Sequence, residues 1–298
     1  MAGGQDAIVE VEGREIRLTN LDKVLYPATG TTKAEVIAYY TQVAGVLLPL
    51  VRDRPVTRKR WPDGVSGTPF FEKNLPAGTP DWVPRVTLHH MGTRSGRGER
   101  DLDYPLVHDT ATLVWLAQVG ALELHAPQWR VDPESREPLE PDRLVIDLDP
   151  GPSTGLDECA QVALVARQML QSHGLELQPV TSGSKGMQLY ADLPPTNEVG
   201  VDVLRRAGSV SDYARALAVA LEKGLPDLVV SDMKRDLRHG KVLVDWSQNN
   251  PAKTTITPWS LRGREEPTAA VPVTWAEVER GGLRQRTMQE AVALVAGA

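Results

Sequence analysis

Cysteine is nearly missing from this chain: Cys159 is the only one in 298 residues. A single thiol excludes an internal disulfide and any cysteine-built zinc site. Its place in a helical pattern marks it as a small core residue rather than a nucleophile. Long apolar runs are lacking as well. No stretch of eighteen apolar residues occurs, and the N-terminus has no basic-then-apolar signal layout. The expectation is a soluble, cytoplasmic protein without a membrane span. An excess of positive charge is also absent, since a net charge of −6 excludes a surface coated in cations. Basic residues nevertheless cluster at 52–60, 94–100 and 234–241. Such clusters read either as solvated faces or as local patches aimed at an anion.

Present instead is a segment of unusual chemistry, Val145-Ile146-Asp147-Leu148-Asp149-Pro150. In a strand, alternate side chains share a face, so Asp147 and Asp149 point one way while Ile146 and Leu148 point the other. Two acids on one face repel each other unless a cation sits between them. Oxygen-only ligands suit a hard ion, Mg²⁺ or Mn²⁺, rather than zinc. A strand end where both acids simply reach water fits the same residues.

The surrounding pattern predicts α+β. Residues 8–18 alternate around Glu12-Gly13 as a hairpin. Thr32-Lys33-Ala34-Glu35 has capping-box spacing and opens a helix through about Leu50. A strand near 55–61 and the Pro69-Phe70-Phe71 segment follow. Residues 91–103 are rich in Gly and charge and predict a mobile surface loop. Helices are expected over 109–124, 157–173 (stopped by Gly174), 201–223 and 286–296. Strands are expected at 143–148, 175–181, 186–193, 228–231 and 241–246. Strands and helices interleave without the strict alternation of a parallel barrel.

Two further segments bear chemistry. The apolar strand Val242–Trp246 carries one acid, Asp245, which either joins the first two acids or caps a turn. Three converging carboxylates can hold two metal ions, the arrangement that clamps an in-line phosphoryl displacement. Thr181-Ser182-Gly183-Ser184-Lys185-Gly186 offers hydroxyls, backbone N–H groups and an ammonium between two strands. It reads as a phosphate cradle or as a plain glycine-rich hairpin. His89, His90, His108 and His173 have no ligand spacing, while His239 adjoins the Arg238 patch. Trp61, Trp115, Trp129 and Trp246 read as core. Phe70 and Phe71 are adjacent on a strand, so both cannot face one core.

Taken together, Asp147-Leu148-Asp149, Ser182-Gly183-Ser184-Lys185-Gly186 and Val244-Asp245-Trp246-Ser247-Gln248-Asn249 resemble the three motifs of the archaeo-eukaryotic primase superfamily. More narrowly, the chain resembles the polymerase domain of bacterial ligase D and its stand-alone relatives. The likeness includes residues 18–27 (from Leu18 to Pro27), 57–62, 70–73, 125–129, 253–256 and 260–264. It implies one catalytic domain over 1–298, a primase-polymerase fold with mixed and antiparallel central sheets flanked by helices and a site in the cleft between them. Residues 1–130 would carry the DNA contacts, and 131–298 the metal and nucleotide site.

The resemblance implies these roles. Asp147, Asp149 and Asp245 would bind two Mn²⁺ or Mg²⁺ ions. Ser182, Lys185, Arg238, Lys253 and Arg262 would hold the incoming nucleotide's phosphates, and Lys59, His125 and Gln248 would line the same pocket. Asn20, Lys23 and Lys33 would grip a downstream 5′-phosphate. Phe70 and Phe71 would stack on template bases, and the loop from Arg94 to Arg100 would reach toward a primer terminus or a second DNA end. The implied enzyme is a template-dependent repair polymerase, favouring ribonucleotides, that acts at gaps or double-strand breaks. Its implied partners are 5′-phosphorylated DNA, NTP or dNTP, a DNA ligase and an end-binding protein, in a nucleoid-associated setting. Rival readings are a catalytically weak DNA-end-binding module, a primase that initiates synthesis, and a metal-dependent nuclease. One departure stands out: Gln188 occupies a position where the family's second motif commonly has His, and it cannot carry a proton or positive charge.

Overall fold

The computed structural model describes residues 6–90, 100–194 and 209–297. The N-terminal hairpin pairs β1 (Ala7–Val11) with β2 (Arg14–Leu18). The short pair β3 (Val24–Tyr26) and β4 (Thr31–Thr32) then leads into α1 (Lys33–Gln42) and α2 (Ala44–Val51). Next come β5 (Thr57–Arg60), β6 (Phe70–Glu72), β7 (Arg85–His90), β8 (Arg100–Pro105), α3 (Thr110–Gln118) and β9 (Ala121–Ala126). The second half opens with β10 (Arg143–Pro150), α4 (Leu156–Gln171), β11 (Gln178–Thr181) and β12 (Met187–Asp192). It continues through α5 (Val210–Gly224), β13 (Val229–Val230) and β14 (Val242–Asp245). Short strands β15 (Thr255–Ile256), β16 (Thr268–Ala269), β17 (Val271–Pro272), helix α6 (Trp275–Arg280) and β18 (Arg286–Thr287) precede the closing α7 (Met288–Ala296).

Two sheets organise these elements. The larger runs β13-β14-β10-β12-β11-β17, antiparallel except for the parallel β13–β14 pair. The smaller runs β15-β9-β5-β6. Alternation along the strands decides which face of the larger sheet does what. Leu144, Ile146 and Leu148 of β10, Met187 and Leu189 of β12, and Val242 and Val244 of β14 pack with α4 and α5 residues such as Val162, Ala166, Leu217 and Leu221. The intervening residues therefore turn away from the helices: Val145, Asp147 and Asp149, with Gln188 and Tyr190. The second core joins α1, α2 and α3 to β9 and includes Leu261, Ala269, Val271, Met288 and Ala291 from the far end of the chain.

The sequence expectations meet this fold element by element. The hairpin turns on Glu12 and Gly13 at φ 51° and 74°, the left-handed pair that matches strand twist. The capping box forms as expected, with Thr32 N donating to Glu35 Oε2 at 2.7 Å. The predicted single helix beyond it breaks instead at Val43, and α2 leaves at 74° to α1. Gly45 offers no side chain to hold the helix straight, and the bend sends Leu47 and Val51 into the core. The helix expected over 109–124 ends at Gln118, because Gly120 takes φ 78° and residues from Ala121 form a strand. That strand is buried along its whole length, so its apolar run gives no period to separate it from a helix.

Residues 91–99 of the expected loop, with Arg94 and Arg97, lie outside the described residues; 100–103 are strand, paired in register with β7. Residues 201–208 of the expected helix likewise lie outside, and α5 starts at Val210 on a Ser209 cap. Helix α6 was not expected. Among the described residues, no single helix is long and apolar enough to cross a membrane.

Candidate active site

Register builds the acidic cluster. β10 and β14 are antiparallel with Asp147 opposite Asp245 and Asp149 opposite Leu243. Directly paired residues share a face, so Asp245 joins Asp147 and Asp149 on the side turned away from the helices. One carboxylate oxygen from each of the three lies within 4.8 Å of the others. Burial pushes the Asp147 carboxyl well above its ordinary range, and the charges of Asp149 and Asp245 push it further. Asp149 is raised in the same way, by burial and then by Asp245. Such a group is unfavourable by itself and is relieved by a cation. Three hard oxygen donors at this spacing fit Mg²⁺ or Mn²⁺.

Local hydrogen bonds hold the acids in place. β14 ends in a single turn of helix, Trp246–Asn249, which brings Ser247 N to Asp245 Oδ1 at 3.1 Å and Gln248 Nε2 to Asp245 Oδ2 at 2.8 Å. The Ser247 hydroxyl also donates to Asp245 and receives the Lys253 ammonium. On the other side, Gln188 Nε2 donates to Asp147 Oδ1 at 3.2 Å, and the Tyr190 hydroxyl reaches Gln188 Oε1 at 2.9 Å. At the position where a His is common, Gln188 thus orients Asp147 while adding no charge.

Beside the acids opens a cleft of about 470 Å³. From the larger sheet it is lined by Asp147, Asp149, Ser182, Ser184, Lys185 and Gln188. Arg238, Gln248 and Arg262 close it, with His125 and Ile256 of the smaller sheet opposite. The Ser182–Gly186 segment is a tight turn, closed by Ser182 N donating to Gly186 O at 3.0 Å. Gly183 sits at φ 68°, where a Cβ would meet Ala269 backbone carbon at 2.6 Å, so the turn admits only glycine there. Lys185 is exposed, and Arg264 donates to the Ser184 hydroxyl. Lys59 stands at the edge, its ammonium 4.7 Å from the Trp61 ring centroid and 5.4 Å from that of Phe71.

Phe70 and Phe71 are both exposed, at 43% and 61%. They occupy opposite faces of β6: Phe71 meets the His125 ring edge-on at 5.5 Å, while Arg60 lies over Phe70 at 5.3 Å. Asn20, Lys23 and Lys33 come together elsewhere, away from the cleft. Lys23 N donates to Asn20 O at 3.0 Å and Lys33 N to Lys23 O at 2.8 Å. Lys33 Nζ donates to Thr19 O at 2.9 Å, and Lys23 Nζ pairs with Asp63 at 3.1 Å. Burial and then the Lys23 charge depress the Lys33 ammonium below its usual value. His239 is exposed. Trp61 and Trp115 are core, whereas Trp129 and Trp246 are half-buried, with their indole N–H groups on Pro251 O and Ser231 O.

Sequence reading missed Glu123. It is 2% exposed, two residues before His125 on β9, and it receives His125 Nε2 at 2.8 Å and Gly263 N at 3.1 Å. Arg262 Nη1 lies 3.6 Å from the same carboxylate. The signal was available, because Glu123 and His125 repeat the one-apart spacing of Asp147 and Asp149 inside an apolar run.

Residues 32–297 match the family described as LigD, primase-polymerase domain. The chain is 47% identical over 288 residues to the multifunctional non-homologous end joining protein LigD of Mycobacterium bovis, covering 95% of this chain and 36% of that protein. It is 32% identical over 265 residues to the bifunctional non-homologous end joining protein LigD of Bacillus subtilis, covering 89% and 40% respectively. Among solved structures, the polymerase domain from Mycobacterium tuberculosis ligase D in complex with DNA matches with a TM-score of 0.85 at 46% identity. That match covers 95% of this chain and 94% of the other. The chain thus spans little more than a third of the length of the curated relatives it matches.

Proposed function

The chain belongs to the LigD primase-polymerase domain family, and on that premise we propose that it is a template-dependent nucleotidyltransferase. It extends a primer's 3′-hydroxyl at short gaps or broken DNA ends. The observation that carries this reading is the strand register that puts Asp245 opposite Asp147 and within reach of Asp149. Asp147, Asp149 and Asp245 would hold Mn²⁺ or Mg²⁺, two ions at full occupancy, and such ions lower the pKa of an attacking hydroxyl and neutralise charge on a triphosphate.

The remaining chemistry is positioning. Ser182, Lys185, Arg238, Lys253 and Arg262 receive the triphosphate; the two guanidiniums also oppose the acids' repulsion, for Arg238 and Arg262 both pull the Asp149 carboxyl down. Lys59, His125 and Gln248 line the pocket for the rest of the nucleotide. Asn20, Lys23 and Lys33 form a separate cationic seat for the downstream 5′-phosphate. Phe70 and Phe71 are exposed aromatic faces for unpaired template bases, each contributing on the order of 1–3 kcal/mol when stacked. A DNA ligase and an end-binding protein acting on the same break complete the proposed setting, at the nucleoid. A preference for ribonucleotides is part of the proposal.

The test is single-nucleotide extension on gapped DNA, with and without the downstream 5′-phosphate, offering each sugar type separately. Asp245→Ala should abolish extension and leave binding to 5′-phosphorylated DNA largely intact. Undiminished extension by that variant would remove the hypothesis. Cleavage of labelled DNA by metal without nucleotide would point to a nuclease instead.

A further inference from the structure

Glu123 is a buried carboxylate to which the proposed function assigns no role. Burying it is costly unless its oxygens are satisfied, and here two hydrogen-bond donors, His125 Nε2 and Gly263 N, reach it, with the Arg262 guanidinium 3.6 Å away as an ion-pair partner. Burial alone would raise its pKa, but the His125 hydrogen bond and the charges of Arg262, His125 and Lys59 outweigh it and hold the group at about 2. Glu123 is therefore ionised at neutral pH and can only accept hydrogen bonds.

That fact decides which His125 nitrogen carries hydrogen. The nitrogen facing an ionised carboxylate must donate, so Nε2 is protonated. Burial lowers the imidazole's pKa, and the opposing pull of Glu123 recovers only part of the drop, so the ring is neutral at pH 7. Its Nδ1 then carries a lone pair. Among the described residues no hydrogen bond reaches Nδ1, although His125 is only 9% exposed and lines the cleft. An acceptor nitrogen disfavours phosphate oxygens, which offer only lone pairs, and suits a hydroxyl. On a nucleoside triphosphate the hydroxyls are those of the sugar.

We propose that Glu123 is a positioning residue that fixes His125 as the neutral Nε2–H tautomer, so that Nδ1 accepts a hydrogen bond from a sugar hydroxyl of the incoming nucleotide. This rests on the nucleotidyltransferase reading. The same carboxylate anchors Arg262 from the phosphate side of the cleft, so sugar and phosphate contacts share one support. The anchor tolerates little movement: at Gly263, whose N–H completes it, a Cβ would fall 2.1 Å from the Trp61 ring.

Two measurements test it. Nitrogen-resolved NMR of the histidines in the parent chain at pH 7 should show His125 protonated at Nε2 alone; an Nδ1–H or doubly protonated ring overturns the assignment. Calorimetric titration should then compare ATP with its 2′-deoxy and 3′-deoxy analogues, on the parent chain and on Glu123→Gln. The parent should prefer ATP over one analogue by about tenfold, the worth of one ordinary hydrogen bond. In Glu123→Gln that preference should fall to within about twofold. A uniform loss for all three ligands with the preference intact would mean that Glu123 serves only Arg262, and would overturn the sugar contact. If Glu123→Gln does not fold, His125→Phe provides the same comparison. Binding without any sugar preference in the parent sinks this inference alone, whereas no binding of any triphosphate sinks the nucleotidyltransferase reading with it.

Discussion

Asp147 and Asp245 are direct partners across the β10–β14 pair, although they come from distant parts of the chain. Closest in register and alike in charge, they make the site an electrostatic liability that a bound cation would relieve.

Removing one acid should separate these two states. Without metal, Asp245→Asn relieves repulsion, so its unfolding temperature in EDTA should equal or exceed that of the parent. With Mn²⁺ the order should invert. A ligand at a hundred times its dissociation constant stabilises the folded state by about 2.7 kcal/mol, and the variant forfeits most of that gain. Thermal unfolding in EDTA and in MnCl₂ checks this, and equal stabilisation of both proteins by Mn²⁺ would count against a shared cation.

A second prediction concerns the backbone of the cradle. At Gly186 a Cβ would sit 1.9 Å from Leu148 O and 2.8 Å from Pro150 Cδ. Neither atom belongs to a flexible side chain, so β12 must shift away from β10. Gly186→Ala should cost about 1–3 kcal/mol, as overpacking does. Extension activity should fall with it, because the shift moves Gln188 from Asp147. Urea unfolding gives the stability, and an unchanged midpoint would refute the close approach.

The pH dependence of stability carries a third. Glu123 titrates near 2 in the folded chain against about 4.5 when unfolded. A depressed carboxylate contributes stability that is complete above the unfolded value and is lost as pH falls toward the folded one. Glu123→Gln should therefore be less stable than the parent at pH 7, with a gap that narrows between pH 4.5 and 2. Denaturant titrations across that range read the gap directly; a constant difference would mean that Glu123 is not ionised in its buried position.

Much of the site was legible in the sequence because period-two alternation and residue chemistry are local properties. Asp147 and Asp149 could be assigned to one face from Ile146 and Leu148 alone. The Thr32–Glu35 cap and the Glu12-Gly13 turn were legible for the same reason. What local pattern could not supply was partnership. Asp245 reads as well for a turn cap as for a third ligand until β14 is paired with β10, and it does in fact accept from Ser247 N of the following turn. The failure at 121–124 has a different cause. A strand buried on both faces loses its alternation, and within an expected helix Glu123 drew no attention. The bend at Val43 depends on where Leu47 and Val51 find a core, which no window of sequence contains.

Met288 and Ala291 of the closing helix, together with Leu261, Ala269 and Val271, complete the apolar cluster around α1 and α3. Vectorial synthesis delivers those pieces long after the helices they cover. A nascent chain paused before Met288 leaves one flank of its earliest helices uncovered, so the N-terminal half cannot finish folding as it leaves the ribosome, as leading segments of many proteins do. Until those later pieces emerge, that apolar flank is open to chaperones and to self-association.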